Sequence, residues 1–314
     1  MGTRVIFMGT PAFAVPSLQC LIDNSYEVVG VYTQPDKPSG RSRHLASPPV
    51  KQLAVEKQIP VKQPDTLKSV EAVEELASFE PDLIVVAAFG RILPRELLSL
   101  PRFGCLNVHP SLLPRHRGPS PMANAILCGD QFTGVTIMLV EQVLDSGPIL
   151  SRRELIISPE DTTGSLSSRL AQMGAQLLME TLPGWIRGEI EPKAQEEALV
   201  THSRKITSEE GRIDWQLSAE EIWRQIRAYN PWPGSYAYWQ GKRLKVHQAT
   251  PLAEAAQGEL GKVVTLPGSA PVELGVVTGR GVLGLYQVQL EGKRQMPLTD
   301  FVRGHRDFIG SILV

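Results

Sequence analysis

DLIVVAAFGRILPRELLSLPRFGCLNVH, residues 82–109, opens and closes on short apolar runs, DLIVVAAFG (82–90) and GCLNVH (104–109). A strand with one face in water alternates apolar and polar side chains. A strand covered on both faces has no reason to alternate, so a continuous run marks a buried strand of a parallel sheet. The same texture recurs upstream in RVIFMG (4–9) and EVVGVYT (27–33), with a helical pattern near 14–23 between them. IPVKQ (59–63) predicts a third strand and VEAVEELASF (70–79) a helix. Strands alternating with helices predict an α/β fold, a doubly wound and mostly parallel sheet. TGVTIMLVE (133–141) and PILSRRELII (148–157) predict a later strand pair around a turn. Residues 162–188 predict a long amphipathic helix, with Thr162 or Thr163 as its cap and Pro183–Gly184 as its end or a kink.

The texture then changes. EIEPKAQEEALVTHSRK (189–205) has few large apolar residues and predicts a linker. Beyond it, after a helical stretch at 220–228, runs such as SYAYW, RLKVHQA, GKVVTL, VELGVVTG and GVLGLYQVQL are separated by glycines, which predicts a small antiparallel β-barrel. The expected division is a first domain over 1–189, a linker over 190–206 and a barrel domain over 207–314.

A chain of 314 residues, 42% hydrophobic and 21% charged, has the size of about two globular domains. No apolar run approaches the roughly 20 residues needed to span a bilayer. The start, MGTRVIF, enters a strand directly and has neither the apolar core of a signal peptide nor the character of a transit segment. Cys20, Cys105 and Cys128 are odd in number and scattered, forming neither a disulfide framework nor a metal cluster. A reducing cytoplasm and a monomer without metal are the expectation. Residues 1–200 carry 18 Lys+Arg against 22 Asp+Glu, and residues 201–314 carry 14 against 11. The C-terminal third is mildly basic, which permits an anionic partner.

In open parallel sheets, ligands bind beyond the C-terminal ends of the strands. Asn107 and His109 end such a strand, two residues apart and therefore on one face. Prolines at 110, 114, 119 and 121 stiffen the segment beyond it. Asp145, in VEQVLDSGPIL at the turn of the later strand pair, is a third polar candidate, although Asp-Ser-Gly is also an ordinary turn sequence. A nicotinamide or flavin dehydrogenase needs a glycine-rich first turn that lets backbone approach a pyrophosphate. Here that turn is MGTPAFAVPS, with one glycine, two prolines and Phe13 in the space to be kept open. NAD is not expected. There is no phosphate-binding loop, no zinc spacing and no nucleophile elbow.

GTPAFAVPSL (9–18), VYTQPDKPSGR (31–41), NVHPSLLPRHRGPSP (107–121), TGVTIMLVEQVLDSG (133–147) and AYNPWPGSY (228–236) together resemble the methionyl-tRNA formyltransferase family, over nearly the whole chain. The Asn-x-His, Leu-Pro-x-x-Arg-Gly and Leu-Asp-x-Gly elements are shared with the wider folate-dependent formyltransferases, so they specify the chemistry and not the acceptor. QPDKPSGR and the NPWPG segment resemble the tRNA-acting branch. The turn after Asp145 reads Ser-Gly-Pro, where many relatives carry Thr-Gly-Asp.

The resemblance implies transfer of a formyl group from 10-formyltetrahydrofolate to the amino group of methionine on initiator tRNA. An amine attacking the formyl carbonyl creates an oxyanion, toward which donors must point. Asn107 can supply one N–H, and a protonated His109 another. Asp145 can orient His109, raise its pKa, or accept the proton through water. Ser111, Leu112, Leu113 and Pro114 are implied to form the folate pocket, rimmed by Gly90, Ile92 and Leu93. Arg117–Gly118 is either a ligand contact or a loop brace. Arg41 and Arg43, in the proline-rich loop 34–49, are implied to meet the acceptor end of tRNA. Lys205 and Arg243 are expected to hold RNA phosphates in the second domain, with Trp215, Trp223, Trp232 and Trp239 mostly structural. A formyltransferase acting on a small amine, and an RNA-binding protein on a spent enzyme scaffold, are the rival readings.

Overall fold

The structure is a computed structural model that describes residues 2–39, 44–253, 258–268 and 272–314. Two compact units emerge. One comprises residues 2–121, 132–156 and 167–204, and the other residues 122–131, 157–166 and 205–314.

In the first unit the strands are β1 (Arg4–Gly9), β2 (Glu27–Tyr32), β3 (Lys37–Ser39), β4 (His44–Ala46), β5 (Val61–Lys62), β6 (Leu83–Ala87), β7 (Cys105–His109), β8 (Phe132–Leu139) and β9 (Ile149–Ile156). Seven of them form one sheet in the order β5-β2-β1-β6-β7-β8-β9. The pairs from β5 to β7 are parallel, while β7–β8 and β8–β9 are antiparallel. The chain winds outward from β1 to β2 and β5, then crosses back to β6. That reversal sets a topological switch point at the C-terminal ends of β1 and β6. Ile6 and Met8 of β1 cluster with Leu76 and Leu97 from helices α3 (Val70–Ala77) and α4 (Arg95–Leu98), which follow α1 (Val15–Asp23) and α2 (Pro49–Glu56). Val5 and Phe7 point the other way and are just as fully buried. Burial on both faces is why these strands read as unbroken apolar runs.

The proline-rich loop departs from its expected irregularity. β3 and β4 pair as an antiparallel hairpin within it, and α2 starts at its last proline. Proline at the first helical position gives up an N–H that would have no partner there anyway. At the first turn Phe13 is 5% exposed and Ala14 fully buried, and a Cβ on Gly9 would meet Ala14 Cβ at 2.7 Å and Phe7 at 2.8 Å. The turn is therefore filled by protein side chains.

In the second unit an antiparallel sheet runs β10 (Ser235–Trp239), β11 (Lys242–Leu252), β14 (Val282–Leu290), β13 (Leu274–Val277), β12 (Val263–Thr265), with β15 (Met296–Pro297) on β14. Its edges do not stay open. Tyr238 of β10 exchanges backbone hydrogen bonds with Val314, and Val263 of β12 accepts from the Gly310 amide while donating to Ser311. Residues 310–314 thus span both edges of a curled sheet. α7 (Ala219–Ala228), α8 (Leu298–Gly304) and nearly all of α5 (Pro121–Cys128) belong to this unit, while α6 (Thr163–Ile186) belongs mostly to the first. α7 starts in a capping box, Ser218 receiving the Glu221 amide while the Glu221 carboxylate receives the Ser218 amide. Trp215 and Trp239 are core here, at 6% and 3% exposed. Trp232, at 58% exposed, departs from the expected structural role.

Candidate active site

β7 carries Asn107 and His109 on one face to its C-terminal end. The β8–β9 turn brings Asp145 to them. Asp145 Oδ1 lies 3.4 Å from the Asn107 amide nitrogen, which donates to it, and 3.6 Å from His109 Nδ1. The three predicted catalytic side chains therefore converge. Asp145 Oδ2 accepts from the Gly118 backbone N–H at 2.8 Å. The His109 and Asp145 side chains are only 4% and 9% exposed, so charge here is weakly screened by water.

His109 Nε2 lies 3.3 Å from the carbonyl of His116. Burial pushes the His109 pKa below the ordinary histidine value. Asp145 and the His116 carbonyl pull it upward without prevailing. The anticipated rise through Asp145 is thus outweighed by desolvation, which favours the neutral imidazole. One N–H remains to donate, and the bare ring nitrogen can accept a proton.

His116 and Asp145 both adopt left-handed backbone, at φ 60° and 53°. Non-glycine residues rarely do so unless their surroundings hold them there. Those surroundings are specific. The His116 amide donates to Thr201 Oγ1 at 2.9 Å and the Arg117 amide to the Thr201 carbonyl at 2.9 Å. Gln195 donates from Nε2 to the carbonyls of Asp145 (2.9 Å) and Gly147 (2.8 Å). Arg117, 4% exposed, donates from Nε to Gln195 Oε1 at 3.0 Å and from Nη2 to Glu197 Oε1 at 2.8 Å. Arg117–Gly118 thus braces the loop. Sequence reasoning passed over Gln195 and Thr201, which sit in a polar stretch with no local motif.

The 111–114 loop is tied to β8. Thr136, opposite His109 in register, donates to the Ser111 carbonyl at 2.7 Å and accepts from the Leu113 amide at 3.2 Å. Ser111 Oγ donates to the Arg115 carbonyl at 2.7 Å, and Arg152 to the Leu113 carbonyl at 3.1 Å. Ser111 and Leu113 are fully buried and Pro114 is buried, while Leu112 is partly accessible. Gly90, Ile92 and Leu93 follow β6, the parallel neighbour of β7, so both loops leave the same edge of the sheet. Gly90 and Ile92 are exposed and Leu93 is buried.

Arg41 and Arg43 lie outside the described residues. Lys205 and Arg243 are both exposed. Arg243 stacks on Tyr236 at 4.1 Å, and Tyr236 packs edge-on against Tyr238. Arg227 is spent internally, over Trp223 at 4.2 Å and donating to the Ser158 and Asp161 carbonyls.

The formyl transferase family model matches residues 3–182, and the formyl transferase C-terminal domain model matches residues 205–306. The methionyl-tRNA formyltransferase of Methylococcus capsulatus is 46% identical over 302 residues, covering 96% of this chain and 97% of its own length. That of Roseiflexus sp. is 47% identical over 309 residues, covering 98% and 94%. Among solved structures, WlaRD, a sugar 3N-formyl transferase, superposes with a TM-score of 0.65 at 17% identity, covering 94% of this chain and all of the other. HypX from Aquifex aeolicus in complex with tetrahydrofolic acid gives 0.62 at 20% identity, covering 96% of this chain and 47% of the other, so the chain spans about half the length of HypX. These structural likenesses establish the shared fold. With both formyl transferase models matched and near half of its residues identical to those relatives along almost their full length, the chain belongs to the methionyl-tRNA formyltransferase family.

Proposed function

We propose that the chain transfers the formyl group of 10-formyltetrahydrofolate to the α-amino group of methionine carried on initiator tRNA. The observation that carries this reading is the convergence of Asn107, His109 and Asp145 at the end of β7, in a chain 46–47% identical to methionyl-tRNA formyltransferases. The neutral amine attacks the formyl carbon, and the carbonyl electrons move onto oxygen. The Asn107 amide has two hydrogens. One is aimed at Asp145 in the resting site, and the other is available to the developing oxyanion. Neutral His109 takes the proton released by the attacking nitrogen, a transfer that Asp145 favours by stabilising the imidazolium. The proton then passes to the departing folate nitrogen as the tetrahedral intermediate collapses.

Ser111–Pro114 and the Gly90–Leu93 segment hold the folate. Residues 1–189 carry the chemistry, 190–206 form the join, and 207–314 grip the tRNA through exposed cations such as Arg243, aided by the exposed Lys205 of the join. Arg41 and Arg43 attend the acceptor end. The test is direct: methionyl initiator tRNA and 10-formyltetrahydrofolate should yield formylmethionyl-tRNA, with an amino sugar as the control acceptor. Formylation of the sugar and not of the tRNA would reject the reading.

A further inference from the structure

Asp145 is presented by a turn that burial does little to hold. Its neighbours Val143 and Leu144 are 67% and 54% exposed, and Asp145 itself is left-handed. The turn is fixed by polar contacts. Gln195 reaches it from a strap of chain, residues 195–203, that lies along the His116–Gly118 segment. Both N–H groups of the Gln195 amide and its oxygen are engaged. Nε2 joins the Asp145 and Gly147 carbonyls at 2.9 and 2.8 Å, and Oε1 receives Arg117 Nε at 3.0 Å. Gln195 is 9% exposed and Arg117 4%, so water has little access to replace these bonds.

Both ends of the Gln195 amide act on Asp145. The Gln195 N–H groups fix the backbone from which the Asp145 carboxylate projects. The Gln195 oxygen fixes Arg117, whose neighbour Gly118 donates to that carboxylate at 2.8 Å. One side chain thus sets both the root and the aim of Asp145.

We infer that Gln195 is a positioning residue for formyl transfer, holding the Asp145 carboxylate in register with Asn107 and His109. The inference rests on the reading of those three residues as the reacting centre. Gln195 itself touches neither substrate nor the reacting atoms.

The deciding variant is Gln195→Glu. It keeps the shape and an acceptor for Arg117, and it removes the two N–H donors that hold the turn. A small displacement of a catalytic group costs on the order of 10²-fold in rate. Turnover with charged initiator tRNA should therefore fall by roughly 10- to 100-fold, with the Michaelis constants for tRNA and folate nearly unchanged. In Gln195→Leu, which adds no charge, the acid limb of the turnover profile should also move to lower pH, because His109 loses the upward pull of Asp145. Gln195→Leu should lose turnover to a similar degree. Glu197→Gln, which alters only the exposed partner of Arg117, should behave as the parent.

Parental turnover in Gln195→Glu, with parental turnover and an unchanged pH profile in Gln195→Leu, overturns the inference. So does a loss that merely tracks the unfolded fraction seen by circular dichroism at the assay temperature. Failure of the parent protein itself to formylate charged tRNA would instead reject the functional reading on which the inference rests.

Discussion

The Gly118 amide points its N–H at the Asp145 carboxylate, 2.8 Å away, across 27 residues of sequence. This bond orients the carboxylate that faces Asn107 and His109. It also ties the proline-rich loop after β7 to the turn between β8 and β9.

Substitution at Gly118 should therefore be costly in two ways. Its φ is +114°, and a Cβ there would meet the Ser203 carbonyl at 2.5 Å, a backbone atom that cannot easily move. Gly118→Ala is expected to destabilise by about 1–3 kcal/mol through strain and overpacking. Thermal denaturation measures the stability. Turnover below the melting range should also drop, because the amide that orients Asp145 shifts with its backbone.

Removing the converging side chains should affect rate far more than stability. Asn107→Ala is expected to lower turnover by about 10²–10³-fold, the usual effect of losing one oxyanion donor. Asp145→Asn, which preserves shape and removes charge, should also lower turnover strongly. Steady-state kinetics with charged tRNA, beside melting curves, separate the two quantities. Parental rates in both variants would place the chemistry elsewhere.

His109 gives stability a definite pH dependence. Its folded-state pKa is depressed by burial, so the unfolded chain binds that proton more readily. The contribution is complete above the ordinary histidine value of about 6.5 and is lost as pH falls from there through the depressed value. The melting temperature should decline over that window, and His109→Asn should flatten the decline. The same depression predicts that turnover persists to pH values below those at which an exposed histidine would be protonated.

Affinity for tRNA should fall with salt if Lys205 and Arg243 neutralise phosphates. Each such contact contributes roughly −0.7 to −0.9 to the slope of log affinity against log salt. Replacing either residue by alanine is expected to reduce the slope by about one unit. Arg41→Ala should lose turnover at saturating tRNA and leave folate binding intact. A slope near zero in the parent protein would favour a small acceptor.

Calorimetry should detect a reduced folate and no nicotinamide dinucleotide. Phe13 and Ala14 fill the first strand-to-helix turn, leaving no glycine-lined approach to a pyrophosphate. Tight NAD binding would contradict that account of the turn.

β1, β2, β6 and β7 were legible because burial on both faces leaves continuous apolar runs. β3, β4 and α2 were not. The hairpin is only three residues a side, and α2 is hidden behind prolines that read as loop. The convergence of Asn107, His109 and Asp145 was legible because each is a polar side chain at a strand end or turn. Gln195 and Thr201 were not, because they act through hydrogen bonds to backbone atoms 48 to 85 residues away. Such bonds need no hydrophobic pattern, so the strap looks the same in sequence as any solvated connector. Trp232 escaped for the opposite reason: its residue type suggested a core position that packing does not give it.

The five residues 310–314 work as a zip between β10 and β12. Without them Tyr238 of β10, and Gly261 and Val263 at β12, would lose backbone partners, an opening for a strand from another molecule. Deleting them should therefore promote self-association and also lower the melting temperature, because Leu313 belongs to the core.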